Sequence, residues 1–245
     1  PDTLPLLALR NAVIFPGSIF PITIGRDKSI KLIEDAHKSN SLIGAVPQND
    51  VSVEDPALDD LFPFGTVARI IKTFEMPDGT ISAVLQGLKR FEIEDVVSSE
   101  PYLRAHVRYL EEFEANPEDP EIKVIADSLK EKASAIIKSS SFAPKEAANA
   151  IKSIEDFNFL VNFIATTIDV ENFFDKVELL KYEDLKVRAM KLLNVLDTQV
   201  ELLKIKQEIN SKVKNEIDQQ QREYYLNNQL RTIQEELGMD DDEEI

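Results

Sequence analysis

The sequence predicts an α+β protein. A bent N-terminal β-sheet or open pseudo-barrel with one or two helices is followed by an all-α bundle that ends in a long helix of about 40 residues. Three observations predict it. Six of the seven glycines lie at or before Gly87, and no proline follows Pro144, so the turn signals crowd the first half and the second half is almost free of helix breakers. The apolar period then changes from two to 3.6. Finally, nothing between Thr198 and Leu237 stops a helix.

The first half, residues 1–115, reads as short strands. Leu4 to Leu9, Phe20 to Ile24 and Leu42 to Val46 are apolar or alternating runs. Between the last two, Ile30, Ile33 and His37 share one side of a helix over Ser29 to Lys38. Gly65 to Ile71 is rich in β-branched residues. Met76-Pro77-Asp78-Gly79 then predicts a hairpin turn into Thr80 to Gln86, because proline presets φ, aspartate tolerates the tight middle and glycine accepts φ > 0. Phe91 and Ile93 alternate with Glu92 and Glu94. Leu103, Ala105, Val107 and Tyr109 alternate with Arg104, His106 and Arg108, as half-buried strands do. The string Glu114 to Pro120 reads as a linker.

Residues 116–197 read as a helical bundle. One stripe is Ile122, Ile125, Ala126, Leu129, Ala133, Ile136 and Ile137. Others are Phe157, Leu160, Val161 and Ile164; Phe173, Phe174 and Val177; and Leu185, Ala189, Leu192, Leu193 and Leu196. Ser139-Ser140-Ser141 reads as a loop. The final helix is expected over 198–238, capped by Asp197 or Thr198 with capping-box spacing to Glu201 and stopped at Gly238. Its apolar stripe includes Ile209, Val213, Ile217, Tyr224, Leu230, Ile233 and Leu237 and thins at Gln219-Gln220-Gln221. A dedicated two-stranded zipper keeps its seam filled throughout. A coiled-coil segment with changing contacts, or a first half packed on its own bundle with only the end free, both remain open. Residues 239–245 form an acidic tail.

Composition excludes several functions. Lys and Arg total 28 against 45 Asp and Glu, a formal net charge of −17, which disfavours nucleic acid and anionic membranes as partners. Cysteine is absent, and with it disulfides, thiolate metal sites and cysteine nucleophiles. No apolar run nears the roughly 20 residues that span a bilayer, and no signal pattern opens the chain, so a soluble, intracellular protein is expected. The chain begins at Pro1 and stops in an acidic run, so a piece of something longer is expected.

Residue chemistry points away from catalysis. There is no GxxxxGK[ST], GxGxxG or GxSxG. His37 and His106 have no partner at metal-ligand spacing, and Asp240 to Glu244 lacks the turn of a calcium loop. No catalytic, cofactor or metal residue is assigned. The suggestive surface is apolar: Phe15, Ile19 and Phe20 sit around two prolines and a glycine, and Met76 tips the hairpin. These four are the candidates for contact with other proteins; core burial is the favoured fate of Phe15 and Phe20, while burial and contact stand level for Ile19 and Met76.

The order of motifs resembles one family. Leu4-Pro5-Leu6, Leu9-Arg10, Val13-Ile14-Phe15-Pro16-Gly17, Pro21 and Gly25-Arg26 with Ser29 resemble the opening of the Lon protease N-terminal domain. The likeness continues through Gly65 to Ile70, Met76 to Thr80 and Gly87-Leu88-Lys89-Arg90-Phe91. It resumes at Gln221 to Leu226, Gln229-Leu230, Ile233-Gln234 and Glu236-Leu237-Gly238, which look like the helix preceding the ATPase module. Residues 117–196 match mainly in pattern.

The resemblance implies an ATP-dependent serine protease, homohexameric, that degrades damaged, unfolded and regulatory proteins in bacterial cytoplasm or, alternatively, the mitochondrial matrix; the motif forms look bacterial. It places the ATPase module, with its ATP and Mg, and the Ser–Lys dyad C-terminal to these residues. The fragment is then a substrate-recognition and assembly region without cofactors of its own, with monomers or dimers as plausible as hexamers once the motor is removed. A stand-alone adaptor carrying a Lon-like domain is the alternative, and an independent hydrolase is the remainder.

Overall fold

The computed structural model describes residues 2–140 and 145–238. The strands are β1 (Asp2–Leu9), β2 (Ile19–Ile24), β3 (Ile43–Pro47), β4 (Phe64–Glu75), β5 (Ile81–Ser98) and β6 (Arg104–Tyr109). The helices are α1 (Asp27–Ser39), α2 (Pro120–Ser139), α3 (Lys145–Lys152), α4 (Phe157–Thr167), α5 (Phe173–Val177) and α6 (Leu185–Glu236). Ser141 and the acidic run Asp240 to Glu244 lie outside the described residues. Residues up to Val200 form one compact unit, and those from Glu201 on form a second.

The six strands make one mixed sheet, ordered β2-β5-β4-β3-β1-β6, with β5 also pairing β6. The pairing runs round an open ring because β5 is long: its first part holds β2 and its second part holds β6. The runs Thr80 to Gln86 and Phe91 to Glu94 read separately in the sequence. They are one strand, because Gly87 stays in the ladder opposite Ala68, with a register shift between Val67 and Ala68. The β4–β5 turn is the expected hairpin. Gly79 has φ +85°, its N–H donates to Met76 C=O at 3.0 Å, and Asp78 accepts from the backbone and hydroxyl of Thr80.

β1 shows why the sheet curls. Leu7 and Leu9 enter the core beneath α1 with Ile22, Ile33, Ile43 and Leu85. Leu4 and Leu6 enter a second core with Val46, Val67, Phe91 and Val107. A strand buried on both faces reads as a continuous apolar run rather than an alternating one. In α1 the buried residues are Leu32, Ile33 and Ala36, and His37 is exposed.

The helical part follows from caps and stripes. Asp119 accepts from Glu121 N–H at 2.9 Å with Pro120 at the first position of α2, and Asp156 accepts from Phe159 N–H at 2.6 Å to start α4. Bonds to Asp119 and then Glu121 push the Lys186 pKa up to about 12.

The long helix begins earlier than its expected start at 198. Asp184 Oδ1 accepts Val187 N–H at 2.9 Å, and α6 runs 52 residues from there. The residues expected to cap at 197–198 have other partners. Thr198 Oγ1 donates back to Asn194 C=O at 3.1 Å, and Asp197 pairs with Lys132. No breaker separates Leu185 from Thr198, so the fourth bundle stripe and the final helix are continuous. Gly238, at φ +68°, stands just past the end, as expected.

The residues just before the expected linker, Glu111 to Phe113, form a stitch. Phe113 pairs with Asp184 in an isolated bridge. Arg90 and Arg188, both with fully buried side chains, meet on the Glu112 carboxylate: Arg90 Nε to Oε1 at 2.5 Å and Arg188 Nη2 to Oε2 at 2.8 Å. Arg90 also donates to the carbonyls of Leu180 and Glu111, and Arg188 to that of Tyr182. Burial, and then the charge of Arg90, hold the Arg188 pKa below its ordinary value. One carboxylate therefore joins the sheet, through β5, to the base of α6.

Candidate functional site: an apolar sheet face and an adjoining groove

The loop before β2 is pinned from two sides. Gly17 N–H donates to Gly87 C=O and Gly87 N–H to Ser18 C=O, both at 2.9 Å. A side chain at Gly87 would stand 2.4 Å from Phe15 C=O, so only glycine lets the loop lie this close. From the other side, Thr166 Oγ1 accepts Phe15 N–H at 3.0 Å, and Ser18 Oγ donates to Asn162 C=O at 3.3 Å. Phe15 is 0% exposed and cannot reach a partner. Of the two fates open to it, Phe15 takes the favoured one, burial, and its contact role is set aside: it anchors the loop between β5 and α4. Phe20 is half-buried against the core under α1.

Ile19 and Met76 do reach the surface, at 58% and 45% exposure. The structure does not bring them together. Ile19 pairs with Gln86, while Met76 N–H donates to Thr80 C=O at the far end of β5. Six residues of strand separate those positions, roughly 20 Å at about 3.4 Å per residue. Between them, exposed Pro21 and Thr23 from β2 and Phe74 from β4 stand in register with half-buried Val84 and Ser82 of β5. Lys72 Nζ lies 4.8 Å from the centre of the Phe74 ring. Ile71 is exposed beside them by ordinary alternation, since Ile70 faces the core opposite Leu85; the register shift between Ile70 and Lys72 then sets Lys72 outward too, opposite Val84. Sequence reading missed Ile71 and Phe74; the adjacent pair Ile70-Ile71 was the available signal, since successive strand residues face opposite ways.

A groove adjoins this face. One cleft of about 460 Å³ lies between β2 and the end of β1, lined by Ala8, Leu9, Pro21, Thr23 and Arg26 among others. It shares Ala8, Arg26 and Glu54 with a second cleft of about 360 Å³ beside Tyr102. That cleft shares Lys28, Asp55 and Leu103 with a third of about 480 Å³ reaching Val96 and Glu100. Arg26 forms the crossing between the first two. Its Nη2 donates to Ala8 C=O at 2.7 Å and its Nη1 to Gln48 Oε1 at 2.6 Å. Burial, helped by the charge of Arg10, lowers its pKa. Lys28 pairs with Asp55 and Glu100, both at 3.0 Å, and these bonds raise its pKa.

In the second unit, the apolar side chains of α6 from Ile205 to Leu237 are 47–71% exposed. The expected single stripe divides. Ile209, Val213, Ile217 and Tyr224 fall on one side of the helix. Leu230, Ile233 and Leu237, with Leu226, fall roughly 120° away at 3.6 residues per turn. His106 Nδ1 is 3.0 Å from Asp95, and no cluster of metal-ligating side chains exists among the described residues. No helix among them is long and apolar enough to cross a membrane.

Sheet, stitch and groove define an α+β domain of an open six-stranded ring bonded to a helical bundle. The fold resembles the N-terminal domain of Mycobacterium avium complex Lon protease, with a TM-score of 0.63 at 22% identity over 80% of this chain and 98% of that one. A Lon N-terminal domain protein from Xanthomonas campestris gives 0.57 at 18% identity, over 79% and 98%. Residues 3–198 match the family described as the ATP-dependent protease La (LON) substrate-binding domain, and the chain belongs to that family. The Lon protease of Flavobacterium johnsoniae is 48% identical over 97% of this chain, and that of Cytophaga hutchinsonii 42%. The chain spans 29% of the length of each of these relatives.

Proposed function

We propose that this chain is the substrate-recognition and assembly region of a bacterial, cytoplasmic ATP-dependent Lon-type serine protease. It binds unfolded or damaged polypeptides and does not itself cut them. The observation that carries the reading is the family match over residues 3–198, joined to an exposed apolar sheet face with an open groove beside it. Ile19, Pro21, Ile71, Phe74 and Met76 offer dispersed apolar contacts rather than one shaped pocket. That suits weak capture of many sequences, strengthened when several copies act together.

The domains follow the same division: residues 1–115 for substrate contact, 116–197 as the helical support, 198–238 as the assembly helix and 239–245 as its acidic tail. Two apolar sides on that helix suit contact with two neighbours, as in a ring of identical subunits. ATP and Mg²⁺ would be held elsewhere in the parent chain. The glycines here do not fit a phosphate cradle, since Gly17 and Gly87 close on each other.

The test is binding of a reduced, carboxymethylated protein and of its native form, read by fluorescence anisotropy. The unfolded form is expected to bind more tightly, and Ile19→Asp and Met76→Asp each to weaken it about threefold to tenfold, the cost of a charge on an apolar contact. Equal binding by these variants removes the two residues from the site. Equal binding of native and unfolded protein removes the function.

A further inference from the structure

We propose that the cleft between β2 and the end of β1 takes an extended segment of unfolded polypeptide as an added strand on the free edge of β2. This inference rests on the polypeptide-binding function just proposed and gives its mode.

β2 is the first strand of the sheet and pairs with β5 alone among the described residues. The register and the bond from Gly87 N–H to Ser18 C=O fix which way its backbone points. In an antiparallel pair, alternate residues turn both N–H and C=O toward the partner. Phe20, Ile22 and Ile24 therefore bond to β5. Ile19 and Thr23 turn theirs to the opposite edge, as Pro21 does its carbonyl.

The other wall of the cleft is also a strand edge. Gln48 N–H donates to Leu9 C=O, so Leu9 faces β3, and Ala8 faces away from it. Arg26 occupies the Ala8 carbonyl, which leaves the Ala8 N–H as a donor on that wall. Two strand edges thus border one cleft, and five consecutive residues of β2 line it. A row of main-chain acceptors two residues apart, at Ile19, Pro21 and Thr23, with donors at the first and last, is complementary to another extended main chain. It is indifferent to that chain's side chains, as a receptor for many substrates requires.

Pro21 sits where its missing N–H faces the open edge. That limits pairing to the two donors of Ile19 and Thr23 and disfavours lasting association along the edge. Transient pairing is what handing a substrate onward needs. The outward side chains of Ile19 and Phe74 then cover the bound segment from the sheet face.

The experiment measures amide hydrogen exchange of this chain, residue by residue, with and without saturating reduced, carboxymethylated lactalbumin. Exchange at Ile19 and Thr23 is expected to slow about tenfold on binding. Thr23→Pro removes one outward donor and keeps the bonds to β5; it should weaken binding about fivefold, the worth of one net hydrogen bond. Thr23→Ala keeps the N–H and should bind within about twofold of the parent chain. Should Thr23→Pro fail to fold, the exchange experiment on the unaltered chain decides alone. Unslowed exchange, or full binding by a folded Thr23→Pro, overturns the added strand and leaves the proposed function standing. Slowing with protein concentration alone assigns the edge to a second copy and also overturns it. Failure of the parent chain to bind lactalbumin overturns both.

Discussion

Glu112 is the side chain whose replacement tests the architecture most directly. Glu112→Gln keeps the shape but removes the charge that neutralises two guanidiniums with fully buried side chains. Two charge-assisted hydrogen bonds, at 2.5 and 2.8 Å, lose their ionic character together. Each such bond is worth about 1.5–3 kcal/mol. The carboxylate side chain is 36% exposed, so water screens part of that. The expected loss is about 3 kcal/mol, or about 6–12 °C in Tm at the 2–4 °C per kcal/mol of a domain this size. Urea unfolding followed by circular dichroism measures it. The pair should also be coupled: Arg188→Met should cost less in the Glu112→Gln background than in the parent chain, because its buried charge has already lost its counterion. A change under about 0.5 kcal/mol, or strict additivity, would refute the reasoning that this carboxylate binds the sheet to the helices.

Other outcomes follow from single features. Lys176 is buried and donates to Ile168 C=O at 2.6 Å, and its pKa is lowered to about 8, chiefly by burial. Below pH 8 the folded chain holds a buried charge that the unfolded chain hydrates, and this handicap disappears as the pH rises past the ordinary lysine value of about 10.4. The stability of Lys176→Met relative to the parent should therefore fall by about 2–3 kcal/mol between pH 7 and 10.5, and a pH-independent difference would contradict the burial. Leu230→Asp with Ile233→Asp should shift sedimentation toward monomer while leaving the melting of residues 1–200 unchanged. Persistence of the same oligomer would remove that side of the helix from assembly.

Local signals made most of the fold legible. The hairpin at Met76–Gly79 and the stop at Gly238 rest on backbone preferences that act within four residues. Period shifts located five of the helices, although the short α3 passed unnoticed. Tertiary contacts defeated the rest. β5 reads as two runs because the residues from Gly87 to Arg90 break the alternation, yet Gly87 stays in the strand and admits Phe15 C=O. No local pattern marks Arg90 and Arg188 as buried, since their carboxylate partner lies 22 and 76 residues away. Phe15 and Ile19 both read as contact candidates, burial being favoured for Phe15 alone; what covers Phe15 includes α4, more than 140 positions along the chain. The groove draws on residues near 8, 26, 55 and 103, which no window of the sequence shows together.

The stitch at Glu112 also has a mechanical meaning. At the base of α6, Asp184 pairs with Phe113 and Arg188 grips Glu112, so a load that reaches this end of the helix meets the stitch. From there it passes straight to Arg90 in the strand that also carries β2. The base of the helix is thus tied to the strand on which β2 rests by charge and hydrogen bonds, a link separate from the apolar contacts that hold the same helix in the bundle.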